Sequence, residues 1–225
     1  MDSLVVGNTD EPLLEITIGE ALNRAAERWG HRLALVDRGQ GVRFTWQELR
    51  ERVDRLALGL DALGLRRGDR IGIWSLNRFE WTLTQFAAAR LGLILVTVNP
   101  AYRASELEFV LRDSGCAALV VAPGFKMNDY VAILRQLLPE LDGCGDGELR
   151  SALLPDLRRI ILLGPDPCPG TIGFGAVERL GAAGDCGRLI ALSAALNPGD
   201  PINIQFTSGT TGSPKGVTLL SLIHI

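Results

Sequence analysis

The chain has 225 residues, 47% hydrophobic and 22% charged, with a formal net charge of -3. That apolar content offsets the entropy of ordering a globular core, which excludes an intrinsically disordered chain. The longest apolar runs, such as 91–98, stop short of the roughly 18 residues a bilayer demands, and Lys and Arg are scattered rather than blocked, so neither a membrane span nor a nucleic-acid footprint is expected.

The first 23 residues hold five acids (Asp2, Asp10, Glu11, Glu15, Glu20) and no Lys or Arg. Secretory signals start basic and mitochondrial presequences are Arg-rich and acid-poor, so a cytoplasmic protein is expected. Thr17-Ile18-Gly19-Glu20 is a capping box that opens a helix with Ile18, Leu22, Ala25 and Trp29 on one face. Leu33–Asp37 reads as a short strand. A second box, Thr45-Trp46-Gln47-Glu48, opens a helix whose apolar stripe (Trp46, Leu49, Val53, Leu56, Leu60, Leu63) runs to a stop at Gly64.

Ile71–Trp74 is the next strand, followed by a helix from about Phe79 to Arg90 capped near Asn77. Ile94–Asn99 is a strand ending at Pro100, which has no N–H for a ladder. Ser105-Glu106-Leu107-Glu108 reads as a third capping box, for a helix closed by Gly115, and Ala118–Ala122 is an apolar strand. Short apolar strands alternating with amphipathic helices predict an α/β fold, its largely parallel sheet covered on both faces. From Pro139 to Asp200, 17 residues are Gly or Pro. That density predicts an irregular connection with one strand, Arg159–Leu163, and a weak helical turn at Ala176–Leu180. Trp29, Trp46, Trp74 and Trp81 are read as core.

The four cysteines (Cys116, Cys144, Cys168, Cys186) form no CxxC pair, so reduced thiols are expected rather than a zinc site or a disulfide framework. With only His31 and His224 as histidines, a Ser-His-Asp site would have to be built on His31, which makes that chemistry a poor candidate.

The chemistry concentrates at the far end. An alternating strand, Ile202–Phe206, empties into Thr207-Ser208-Gly209-Thr210-Thr211-Gly212-Ser213-Pro214-Lys215-Gly216, with five hydroxyls, three glycines, one lysine and no acid. Glycines let backbone N–H groups approach an anion, hydroxyls bond phosphate oxygens or ligate magnesium, and Lys215 supplies a point charge. A P-loop would need Gly at 214 and a hydroxyl residue at 216, where Pro and Gly stand, and Gly216–Leu219 favours a strand. The segment is therefore expected to be a phosphate loop between two strands. No metal ligand is directly assignable.

Phe206–Gly216 resembles the signature loop of the adenylate-forming enzymes, which include acyl-CoA synthetases, peptide-synthetase adenylation domains and firefly-type luciferases. Phe44-Thr45-Trp46-Gln47-Glu48-Leu49, Gly68-Asp69-Arg70 and Ala89-Arg90-Leu91-Gly92 fall in the family's order and spacing. Val98-Asn99-Pro100-Ala101-Tyr102 with Glu106-Leu107 is similar to the fatty and medium-chain acyl-CoA synthetase branch. The resemblance implies a two-step reaction using ATP, Mg²⁺ and coenzyme A on a carboxylic acid. It implies phosphate contacts from Thr207, Ser208, Gly209, Thr210, Thr211 and Gly212, with Lys215 on the departing pyrophosphate. It also implies that residues 1–219 are the N-terminal portion of the large AMP-binding domain, without catalytic residues of their own. Leu220–Ile225 resembles a translated sequencing adapter and is expected to be a read-through scar. The alternatives are an amino-acid-activating adenylation domain, a nucleotide-binding module without chemistry, and a non-enzymatic interaction protein.

Overall fold

The computed structural model describes residues 14–145, 148–164, 167–207 and 214–224. In chain order the elements are α1 (Ile18–Trp29), β1 (Leu33–Asp37), β2 (Val42–Thr45), α2 (Trp46–Ala62), β3 (Arg70–Trp74), α3 (Phe79–Leu91), β4 (Ile94–Val98), α4 (Ala104–Ser114) and β5 (Cys116–Val121). There follow β6 (Gly124–Phe125), β7 (Asn128–Asp129), α5 (Tyr130–Leu137), β8 (Arg159–Leu162), β9 (Ile172–Gly173), α6 (Phe174–Ala182), α7 (Cys186–Ala194), β10 (Pro201–Thr207) and β11 (Lys215–Leu220).

Seven strands form the central sheet in the order β11-β10-β4-β3-β5-β8-β9. Every neighbouring pair is parallel except β10–β11. The chain steps from β3 to β4 on one side, then from β4 across β3 to β5. Right-handed crossovers in opposite directions put α3 and α4 on opposite faces. Helices α1, α2, α6 and α7 gather with α3, and α5 with α4. Covered on both sides, the middle of the sheet is apolar throughout: all six residues of β5 are buried, as are Ile71, Ile73 and Trp74 of β3. Outside this sheet, β1 and β2 form an antiparallel hairpin against α2, and β6–β7 a second small one.

The capping box of α2 forms as its residues dictate. The Thr45 hydroxyl accepts the Glu48 N–H at 3.2 Å, and the Glu48 carboxylate accepts the Thr45 N–H at 2.8 Å. Thr45's bonds hold the Glu48 carboxyl below its usual range. Gly64 and Gly115, expected as stops, both take left-handed φ values, 88° and 58°.

Four local readings are corrected. The N-cap of α3 is Arg78, not Asn77, and its side chain makes no capping bond. α4 starts one residue before Ser105: the Glu106 carboxylate accepts the Arg103 N–H at 2.9 Å, while Glu108 pairs with Arg112 one turn on. Trp29 is 37% exposed because α1 ends there; its ring lies beneath the Arg28 guanidinium and beside Trp46. Trp46 and Trp81 are half-buried, and only Trp74 of the four is fully enclosed.

Segment 139–200 also differs from expectation, because it contains two helices, α6 and α7. Its glycines serve packing as well as turns. Gly181 of α6 and Gly59 of α2 meet at the helix crossing, where a Cβ on Gly181 would run into the Arg55 carbonyl oxygen and one on Gly59 into that of Val177. A bidentate Arg52–Glu178 pair, 2.9 and 2.7 Å, closes the same interface.

Candidate functional site

Parallel strands aim their carboxyl ends the same way, and in open α/β sheets ligands bind in the crevice beyond those ends. Here the ends of β3, β4 and β10 surround a cleft of about 510 Å³, lined by Asn77, Trp81, Asn99, Tyr102 and Phe206 among others. The turn after β4, whose Asn99 and Pro100 line the cleft, is pinned by a side-chain network. The Trp74 indole N–H donates to the Asn99 carbonyl at 3.1 Å, and the Tyr130 ring stacks on Trp74 with centroids 3.7 Å apart. The Tyr130 hydroxyl donates to the Pro100 carbonyl at 2.6 Å. Burial pushes that phenol's pKa up, which keeps it a donor. The Asn99 carboxamide oxygen accepts the Ala101 N–H at 2.9 Å, so the turn after β4 is held from both sides.

The strand that leads into the predicted phosphate segment reaches this cleft. Phe206, the residue before Thr207, lines it and meets the Phe109 ring edge-on at 6.4 Å. Thr207 and Lys215 are cross-strand partners at the open end of the β10–β11 ladder, with the Thr207 hydroxyl 3.5 Å from the Lys215 carbonyl oxygen. Gly216 lies opposite Phe206, and a Cβ there would press on Ile204 and the Phe206 ring. The segment is thus flanked by two strands, as its residues predict, and not by a strand and a helix. Ser208, Gly209, Thr210, Thr211 and Gly212 lie outside the described residues. Lys215 is exposed, and among the described residues no carboxylate pairs with it.

A larger cleft, about 590 Å³, lies at the amino end of the sheet near Leu65, Arg150, Arg158 and Arg159. There Arg158 pairs with Asp69 and Arg159 with Glu148. Arg158 and Arg159 there are already paired, and Thr207 and Lys215 stand at the other end of the strands, so the carboxyl-end cleft is the candidate site. Among the described residues no group of three or more His, Cys, Asp or Glu could hold a metal ion. The four cysteines are free, and burial pushes the Cys116 thiol up to about 11, where it is inert.

Sequence reasoning named Asn99 and Pro100 but missed Tyr130. Its two partners come from β3 and the turn after β4, and a contact across 30 or more residues leaves no local pattern.

The comparisons with known proteins agree with this geometry. Residues 22–220 match the family model described as AMP-binding enzyme. The medium-chain acyl-CoA ligase ACSF2, mitochondrial, of Rattus norvegicus is 46% identical over 218 residues, covering 96% of this chain and 35% of the rat protein. The putative acyl-CoA synthetase YngI of Bacillus subtilis (strain 168) is 35% identical, over 92% of this chain and 38% of its own length. The crystal structure of the anthranilate CoA ligase AuaEII in complex with anthranoyl-AMP superposes with a TM-score of 0.74 at 22% identity, over 95% of this chain and 36% of that one; at that identity the likeness is one of fold.

The chain therefore spans about a third of the length of the curated relatives it matches. The rat protein is named as mitochondrial, which overturns the cytoplasmic expectation. That expectation rested on the charges of 23 residues alone. With the family model matched along most of its length and the carboxyl-end cleft in place, the chain belongs to the AMP-binding enzyme family.

Proposed function

We propose that the full-length protein is an ATP-dependent acid–thiol ligase that converts a carboxylic acid, of fatty or medium chain length, to its coenzyme A thioester. The observation that carries this reading is the antiparallel β10–β11 pair, which sets Thr207 opposite Lys215 beside the carboxyl-end cleft. The names of the rat and Bacillus relatives support the reaction class, and the rat name supports the chain length.

In the first step an acid carboxylate oxygen attacks the α-phosphorus of ATP, the bond to the β-phosphate oxygen breaks, and pyrophosphate leaves. In the second, coenzyme A thiolate attacks the acyl carbon and AMP leaves. This chain's residues would contribute positioning and charge. Thr207, Ser208, Gly209, Thr210, Thr211 and Gly212 would hold the ATP phosphates through hydroxyl and backbone donors, with Lys215 on the pyrophosphate. Mg²⁺ is a hard ion that keeps several waters and is bound largely through substrate phosphates. A hydroxyl-rich segment without acids fits that mode, in which the ion neutralises phosphate charge. Residues 1–219 would form the N-terminal portion of the large domain, with Leu220–Ile225 foreign to it.

The test is ATP–pyrophosphate exchange by the full-length protein with fatty, aromatic and amino acids. Exchange dependent on a fatty or medium-chain acid is the expected result. Exchange with amino acids alone would move the protein to the peptide-synthetase branch, and ATP binding without exchange would refute the ligase reading.

A further inference from the structure

The N-terminus of α3 is capped from another element. Arg78 offers no side-chain acceptor, and the Phe79 N–H, left over by the helix, donates to the Gln40 side-chain oxygen at 3.1 Å. The other end of that amide donates to both Glu80 carboxylate oxygens, at 3.1 and 3.0 Å. Arg78 binds the same two oxygens at 3.0 Å each, and Glu80 is only 7% exposed. Gln40 sits in the turn between β1 and β2, where its own N–H is fixed on the Asp37 carboxylate at 2.9 Å. A neutral amide satisfies both partners because it carries an acceptor for the N–H and a donor for the carboxylate. Alanine offers neither, and a glutamate would face Glu80 with like charge.

What Gln40 holds is one wall of the cleft. Leu76, Asn77 and Trp81 bracket the capped turn and line the cavity opposite Phe206. We propose that Gln40 is a positioning residue of the candidate site: it fixes the first turn of α3, and with it the wall of the cleft that Phe206 also lines. The inference rests on the ligase reading for its kinetic consequence, but its structural half does not.

The experiment uses the full-length protein with Gln40→Ala, Gln40→Glu, Glu80→Gln and the double variant Gln40→Glu/Glu80→Gln, which exchanges donor and acceptor. Acid-dependent ATP–pyrophosphate exchange gives kcat and the KM for the acid. Acrylamide quenching, compared in each background with and without Trp81→Phe, reports how open the Trp81 wall is. Misplacing a site by a fraction of an ångström predicts a kcat about tenfold lower in the Gln40 single variants at an acid KM within about twofold, with raised Trp81 quenching. The double variant is expected to recover both readouts to within about threefold. A Gln40→Ala protein that melts earlier but keeps its kcat would show a purely structural cap and overturn the proposal, as would unchanged Trp81 quenching. Should Gln40→Ala not fold, Gln40→Glu against the double variant decides the matter: recovery supports the proposal, and no recovery overturns it. If the unmodified protein exchanges with no acid, the ligase reading fails separately, and quenching alone then upholds or overturns the positioning role.

Discussion

Tyr130 contributes through its ring and its hydroxyl, and the two can be separated. Tyr130→Phe keeps the stack on Trp74 and removes the bond to Pro100, leaving a half-buried carbonyl unpaired. The expected loss is about 1 kcal/mol by urea denaturation, against about 3–5 kcal/mol for Tyr130→Ala, which also empties the ring's site. Equal losses would mean that the hydroxyl alone matters. Lys215 predicts the opposite balance. It is exposed and packs on little, so Lys215→Ala is expected to leave the melting temperature unchanged while slowing exchange about 10²-fold, the usual effect of losing one charge-stabilising donor.

Asp61 gives a prediction with a sign. The Arg188 guanidinium bonds both its oxygens, at 2.6 and 2.9 Å, and Arg66 adds a third contact; these hold the carboxyl below 3.8, its ordinary value. A depressed carboxylate stabilises the fold fully above its unfolded pKa and loses that contribution as pH falls through the folded one. The stability gap between the unmodified protein and Arg188→Ala should therefore be full at neutral pH and close only below about pH 4. A gap that closed near pH 6 would implicate another group.

At the scale of elements, the crossing of α2 and α6 is the most exacting contact. Gly59 and Gly181 bring two backbones together, and a methyl at either position meets a carbonyl oxygen, which cannot rotate away. Gly181→Ala is expected to cost at least about 1–3 kcal/mol, the range for overpacking, while Gly175→Ala, where the nearest atom is a mobile guanidinium nitrogen, should cost far less. Comparing their urea midpoints checks this. Gly181 also explains why segment 139–200 reads as irregular in sequence: Gly and Pro density signals loops only while each glycine serves a turn, and Gly181 serves packing. The Thr45–Glu48 cap was legible because both halves lie within three residues and Thr45 can accept; the α4 cap was misplaced because its N-cap is Arg103, not a hydroxyl residue, and the α3 cap was illegible because its acceptor came from Gln40, 39 positions away.

For the whole molecule, the alternation of short apolar strands and amphipathic helices was enough to read a parallel sheet covered on both faces, because burial on two sides removes polar residues from strands such as β5. Strand order was not legible, since nothing in Ile94–Val98 says that β10 will pair with it. The sheet's ends differ physically. β9 is a two-residue edge, too short to template anything, whereas β11 lies beside β10 alone among the described strands, with Lys215–Thr218 exposed and Val217 44% so. An exposed edge with an apolar side chain, as at Lys215–Thr218, is a template for a further strand. The 225-residue chain is therefore expected to self-associate with rising concentration in sedimentation velocity. Val217→Lys places a charge on that edge without touching the core, so it should restore a single slow species. Under the proposed reading, a full-length protein would sediment as one species at every concentration, because further strands of the large domain would cover that edge. If Val217→Lys left the association of the short chain unaltered, the contact would lie elsewhere, with the exposed Leu33 and Val36 of the separate β1–β2 hairpin the next apolar edge to charge.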